Sequence, residues 1–134
     1  MNDYIMIICM VLAGYASTMN MWIDNIDDFR FSLNDLYMVG LMTGWMLFFM
    51  GLFTLRLRIC IVGLLLTILF FTFIRKQWFI NEIQYLKGMI PHHSMAIMMS
   101  KRLKEHPNSI NHLLDRIVQS QQKEIILMKN YMQS

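Results

Sequence analysis

Residues 58–75, RICIVGLLLTILFFTFIR, decide the fold class: Arg58 and Arg75 enclose sixteen residues that carry no charge. A membrane-crossing helix needs about 20 mainly apolar residues, because its backbone N–H and C=O groups find no water in hydrocarbon and must be satisfied within the segment. At about 1.5 Å per residue the stretch from Ile59 to Ile74 is slightly short, but the flanking arginine side chains reach back to the headgroups. Two further charge-free runs precede it, Leu36–Leu55 and Tyr4–Ile23. The Tyr4–Ile23 run is longer than the apolar region of a secretory signal, about 7–15 residues, and the start before it, Met1-Asn2-Asp3, has no positive segment. Trp22 and Trp78 stand at span ends, where an amphipathic indole favours the interface. The sequence therefore predicts an all-α integral membrane protein with spans at about 4–23, 36–55 and 59–74.

Charge divides the chain at the end of the third span. Only 16% of the 134 residues are charged, against roughly 25% in a soluble domain. Residues 1–74 carry a net charge of −2 and residues 75–134 a net +5. The division predicts a transmembrane region, 1–75, followed by a helical domain, 76–134. Arg56 and Arg58 favour a cytoplasmic second loop, which puts the tail outside, whereas Arg75 and Lys76 pull the other way. Cys9 and Cys60 lie in apolar runs without a CxxC spacing and are read as small packing residues.

Gly40 and Gly44 make a GxxxG step in the second span, which lets another helix approach closely. Packing among the spans is expected of them, with dimerisation as the alternative. Met38, Met42, Met46 and Met50 recur every four residues and form a slowly drifting stripe. A thioether ladder passing Cu(I) towards the tail and ordinary adaptable packing both fit this stripe.

From Lys76 onward Phe79, Ile83, Leu86 and Ile90 keep helical spacing up to Pro91, which ends, kinks or restarts a helix. The pattern continues to about Glu105. His106-Pro107-Asn108-Ser109 is a turn, with Asn108 or Ser109 a candidate N-cap. Ile110, Leu113, Leu114, Ile117, Gln121, Glu124, Ile125, Met128 and Met132 then follow one face, so the tail is an antiparallel helical hairpin. A hairpin is half of a four-helix bundle. Its uncovered apolar face predicts a homodimer or docking on another membrane protein.

At 100° per residue Met89, His92, His93, Ala96 and Met99 share about a third of the first helix, with Met95 at its shoulder and Met98 pointing away. Gln121, Glu124 and Met128 lie on the facing side of the second. Thioether and imidazole form a soft-to-borderline donor set suited to Cu(I) and tolerable for Cu(II). Carboxylates are too few for a di-iron centre, no Glu-x-x-His step exists, and the set lacks the thiolates of structural zinc. The competing reading is that these residues only pack a core. His106 and His112 are taken as surface or capping residues.

Met89-Ile90-Pro91-His92-His93-Ser94-Met95-Ala96-Ile97-Met98-Met99-Ser100 resembles the Met-x-Pro-His-His-x-x-Ala-x-x-Met-Ala signature of the domain-of-unknown-function 305 family. Gln121-x-x-Glu124-Ile125-x-x-Met128-x-x-Tyr131-Met132 is similar to that family's second segment, with Tyr-Met for Trp-Leu. Together the motifs cover about residues 78–133. The resemblance implies a ferritin-like helical fold and, from copper-binding members, a copper site at Met89, His92, His93, Met95 and Met99 with Glu124 and Met128 opposite. It also implies an extracytoplasmic tail.

The expected function is a membrane-anchored copper-binding protein for sequestration, delivery or sensing. The alternative is a membrane-anchored scaffold whose His and Met residues pack a dimeric bundle without metal. No Gly-rich phosphate loop, Ser/His/Asp set or paired acids point to an enzyme. Lys101, Arg102 and Lys104 lack interleaved aromatics, so they are read as a solvated helix end or a contact for anionic lipid rather than a nucleic-acid surface.

Overall fold

A computed structural model describes residues 3–133; Met1, Asn2 and Ser134 lie outside the described residues. All regular elements among them are helical: α1 (Asp3–Ala16), two 3-10 turns (Met19–Trp22 and Ile26–Asp28), α2 (Leu33–Phe53), α3 (Leu57–Lys76), α4 (Glu82–Lys104) and α5 (Asn111–Gln133). Three stretches are long and apolar enough to cross a membrane, Asp3–Trp22, Leu33–Phe53 and Leu57–Lys76. The regular α-helix of the first stops at Ala16, short of the expected Ile23. The Ser17 amide bonds the Gly14 carbonyl, and the Ser17 and Thr18 hydroxyls bond those of Ala13 and Tyr15. These local bonds take up carbonyls that a continuing helix would use.

The chain forms two compact units. One joins the described residues up to Thr18 with Leu33–Ile80. Within it α2 and α3 pack antiparallel at very short range, because glycines line the seam. A methyl group built on Gly44 would lie 2.7 Å from the Thr67 hydroxyl oxygen and 2.8 Å from the Thr67 amide nitrogen, and one on Gly40 would strike the Phe70 ring. Gly51 lies against Cys60 and Gly63 against the Phe48 backbone, equally without room for a side chain. The GxxxG glycines thus serve packing inside the chain, and two glycines that the step did not include extend the seam. The Tyr37 hydroxyl donates to the Trp78 carbonyl at 2.7 Å, and its ring meets Phe73 edge-on at 5.3 Å. At the opposite end Arg56 grips both Asp3 carboxylate oxygens at 3.1 and 2.8 Å.

The expected helix from Lys76 onward is interrupted. Gln77 caps α3 in the left-handed conformation (φ 50°), and its side-chain amide donates to the Ile74 carbonyl. Phe79 is also left-handed (φ 61°), and α4 starts only at Glu82, capped by Asn81, whose side chain accepts from the Gln84 amide at 2.9 Å. Apolar spacing alone did not separate the two helices, because Phe79 keeps the period while its backbone turns.

The second unit joins Met19–Ser32 to the residues from Asn81 onward. In it α4 and α5 are antiparallel: Lys104 pairs with Asp115 near the turn, and His93 with Glu124 further along. Ile90, Ile97 and Ile125 form the core, with Val118, Met128 and Met132 packed on it. Pro91 sits inside α4 without ending it, so the helix forgoes the hydrogen bond that its nitrogen cannot make. Asn108 does not cap α5 directly. Its side chain donates to the carbonyls of Leu103 and His106 and accepts from the Ile110 amide, which closes the turn.

The first loop is built as tightly as the hairpin it joins. Asn20 brackets Arg30, donating to its carbonyl at 2.8 Å and accepting from its amide at 3.0 Å. The Asp24 amide donates to the Ser94 hydroxyl oxygen at 2.9 Å, and that hydroxyl donates to Asp28 at 2.6 Å. Lys101 reaches Asp24 and Lys129 reaches Asp28, each at 2.6 Å. The loop is thereby tied to both helices.

Candidate functional site

The helix period set by the sequence distributes the candidate ligands over two environments. Pro91, His93, Ser94, Ile97 and Ser100 are buried, whereas His92 and Met99 are exposed and Met89 and Met95 half-buried. Successive residues diverge by about 100°, so adjacent histidines face different neighbours. Their rings stay close all the same, with centroids 6.0 Å apart.

His93 is fully engaged. Its Nδ1 lies 2.8 Å from the Met89 carbonyl oxygen and its Nε2 2.7 Å from a Glu124 carboxylate oxygen. A carbonyl only accepts, and so does an ionised carboxylate, so both ring nitrogens of His93 face acceptors. Ser120 donates to the other Glu124 oxygen at 2.9 Å. This bond first, and that of His93 second, hold the Glu124 carboxyl below the usual glutamate range.

His92 differs on every count. It makes no hydrogen bond among the described residues, stands one helical turn from Met89, Met95 and Ala96, and two turns from Met99. These residues give the exposed flank of α4 an imidazole and three thioethers, a donor set that fits a soft cation. Met128 is elsewhere, packed on the Ile90, Ile97 and Ile125 core. Among the described residues no three His, Cys, Asp or Glu side chains gather as a metal site. The donors thus suit thioether-rich coordination and give no carboxylate or thiolate cage.

The seven residues singled out in the sequence therefore divide: Met89, His92, Met95 and Met99 share the flank, His93 and Glu124 bridge the helices, and Met128 packs. His106 and His112 are exposed at the turn. Sequence reasoning missed Ser94, which has no exposure, and Asp28, which is 5% exposed. Both looked unremarkable, one a variable place in a motif and the other one acid among several. Their only signal is mutual: a serine and an acid that sit 66 residues apart.

No solved structure matches the chain. Uncharacterized protein L153 of Acanthamoeba polyphaga mimivirus is 44% identical over 131 residues, covering 90% of this chain and 84% of that protein. The similarity thus reaches well outside the hairpin. A family model described as Domain of unknown function (DUF305) matches residues 80–132, the span of α4 and α5. Residues 80–132, which hold Pro91, His92, His93 and Glu124, thus match the DUF305 family, and the chain as a whole belongs to one family with the mimivirus protein.

Proposed function

We propose that the chain is a membrane-anchored copper-binding protein that sequesters, delivers or senses copper outside the cytoplasm through the exposed flank of α4. The observation that carries this reading is His92: exposed, without a hydrogen bond among the described residues, and within two helical turns of the thioethers of Met89, Met95 and Met99. A metal at His92 displaces only water, whereas one at His93 has to take the place of Glu124 at Nε2. His93 and Glu124 then act as the brace that holds the two helices in register. Ligands on one accessible face suit exchange with a partner better than permanent enclosure.

A second reading is favoured by a different observation. Met128 and Met132 pack against the isoleucine core and His93 is consumed by hydrogen bonds, so part of the motif serves architecture. On that reading the chain is a scaffold, and a second copy or another membrane protein covers the exposed flank.

Titrating the purified full chain with Cu(I) against a competing chelator separates the two. The copper reading expects competition that weakens at least tenfold in His92→Ala and in Met89→Ala/Met99→Ala. A chain that does not compete, or competes equally after these changes, leaves the scaffold.

A further inference from the structure

We propose that the membrane unit holds one anionic glycerophospholipid, with an acyl chain in a cleft over α2 and its phosphate on Arg58. The cleft measures about 290 Å³. Met6 and Ile7 of α1, Leu47 and Met50 of α2 and Ile59 and Val62 of α3 line it, so both flanking helices and the helix beneath contribute. Its polar groups gather at one end, where Asp3 and Arg58 stand. They differ in what they have left to offer. Asp3 is neutralised by the two-pronged Arg56 contact. Arg58 is exposed and has no ion-pair or hydrogen-bond partner among the described residues. An apolar slot with one unspent guanidinium at its mouth matches an amphiphile whose head is an anion. A guanidinium also recognises phosphate oxygens by paired N–H donors.

Arg58 lies next to the start of the third span, at headgroup level, so the ligand need not leave the bilayer to reach it. Acyl chains are already in hydrocarbon, so seating one in the cleft adds fit and little driving force. Selection therefore rests on the headgroup charge. One basic residue at a membrane surface favours an anionic lipid by about fivefold.

The test is lipid retention by the full chain, purified from vesicles of equal phosphatidylglycerol and phosphatidylcholine and read by native mass spectrometry. The proposal expects one retained lipid, enriched about fivefold in phosphatidylglycerol. Arg58→Gln should abolish the enrichment, and Arg75→Gln, at the far end of α3, should keep it. Val62→Trp fills the cleft without changing charge and should remove the retained lipid. Equal retention of both lipids overturns the proposal, as does enrichment that survives Arg58→Gln. Enrichment that survives Val62→Trp overturns it too, since attraction at the surface would then need no seated chain.

Discussion

The Ser94 hydroxyl donates to an Asp28 carboxylate oxygen at 2.6 Å, joining the middle of α4 to a loop 66 residues earlier in the chain. Ser94 has no exposure, and it simultaneously accepts from the Asp24 amide. Removing its oxygen leaves the buried Asp28 carboxylate and the Asp24 amide each one partner short. Ser94→Ala is expected to destabilise the second unit by about 1–3 kcal/mol. Denaturant unfolding of the full chain, followed by amide exchange in α4, measures it.

Asp28 and Lys129 are unequal partners. The Asp28 side chain is 7% exposed and that of Lys129 28%. Lys129→Ala strands a buried carboxylate, at an expected loss of about 3 kcal/mol. Asp28→Asn in the same chain should restore part of it, because the amide carries no charge and still accepts from Ser94. A double mutant no more stable than Lys129→Ala contradicts this account.

Residues 81–134 expressed alone lack the loop that bonds Ser94, Lys101 and Lys129. The separate hairpin should exchange α4 amides faster than the same helix in the full chain. Equal protection in both would show that the loop contributes nothing to hairpin stability.

Glu124 is held below its ordinary value, chiefly by Ser120 and next by His93. The unfolded carboxyl titrates near 4.3, so the stabilisation from these contacts is fully present above about that pH. It is lost as pH falls through the lower folded value. Ser120→Ala should raise the Glu124 midpoint in an NMR titration, and Glu124→Gln should flatten the acid limb of the stability profile.

Gly63 meets the Phe48 backbone, and a backbone cannot swing aside as a side-chain tip can. Gly63→Ala should push α2 and α3 apart and cost about 1–3 kcal/mol. Gly40→Ala meets the Phe70 ring instead and should cost less. Thermal unfolding of both variants in detergent gives the order.

The spans and the hairpin were legible because each rests on a local signal: uncharged length between arginines, and a three-to-four residue period on either side of His106-Pro107-Asn108-Ser109. The membership of Met19–Ser32 in the hairpin unit was not legible. It rests on Ser94, Lys101 and Lys129 finding Asp24 and Asp28, and single polar residues far apart leave no periodic trace. The same limit applied to His92 and His93. Their adjacency was plain, but not that one faces Glu124 and the other solvent. The break at Gln77–Asn81 escaped for another reason, since left-handed Gln77 and Phe79 replace the glycine that usually marks such a turn.

The loop's attachment also sets an order of assembly during synthesis. Asp28 leaves the ribosome about a hundred residues before Lys129, which at about 5–20 residues per second is an interval of about 5–20 s. Through that interval the loop's acids have no cation from α5, and α4, once made, has only half of its clamp. The clamp closes only once Lys129 of α5 has been made. A product cut short before Lys129 therefore lacks the cation that α5 brings to Asp28, and the loop keeps only its contacts with α4.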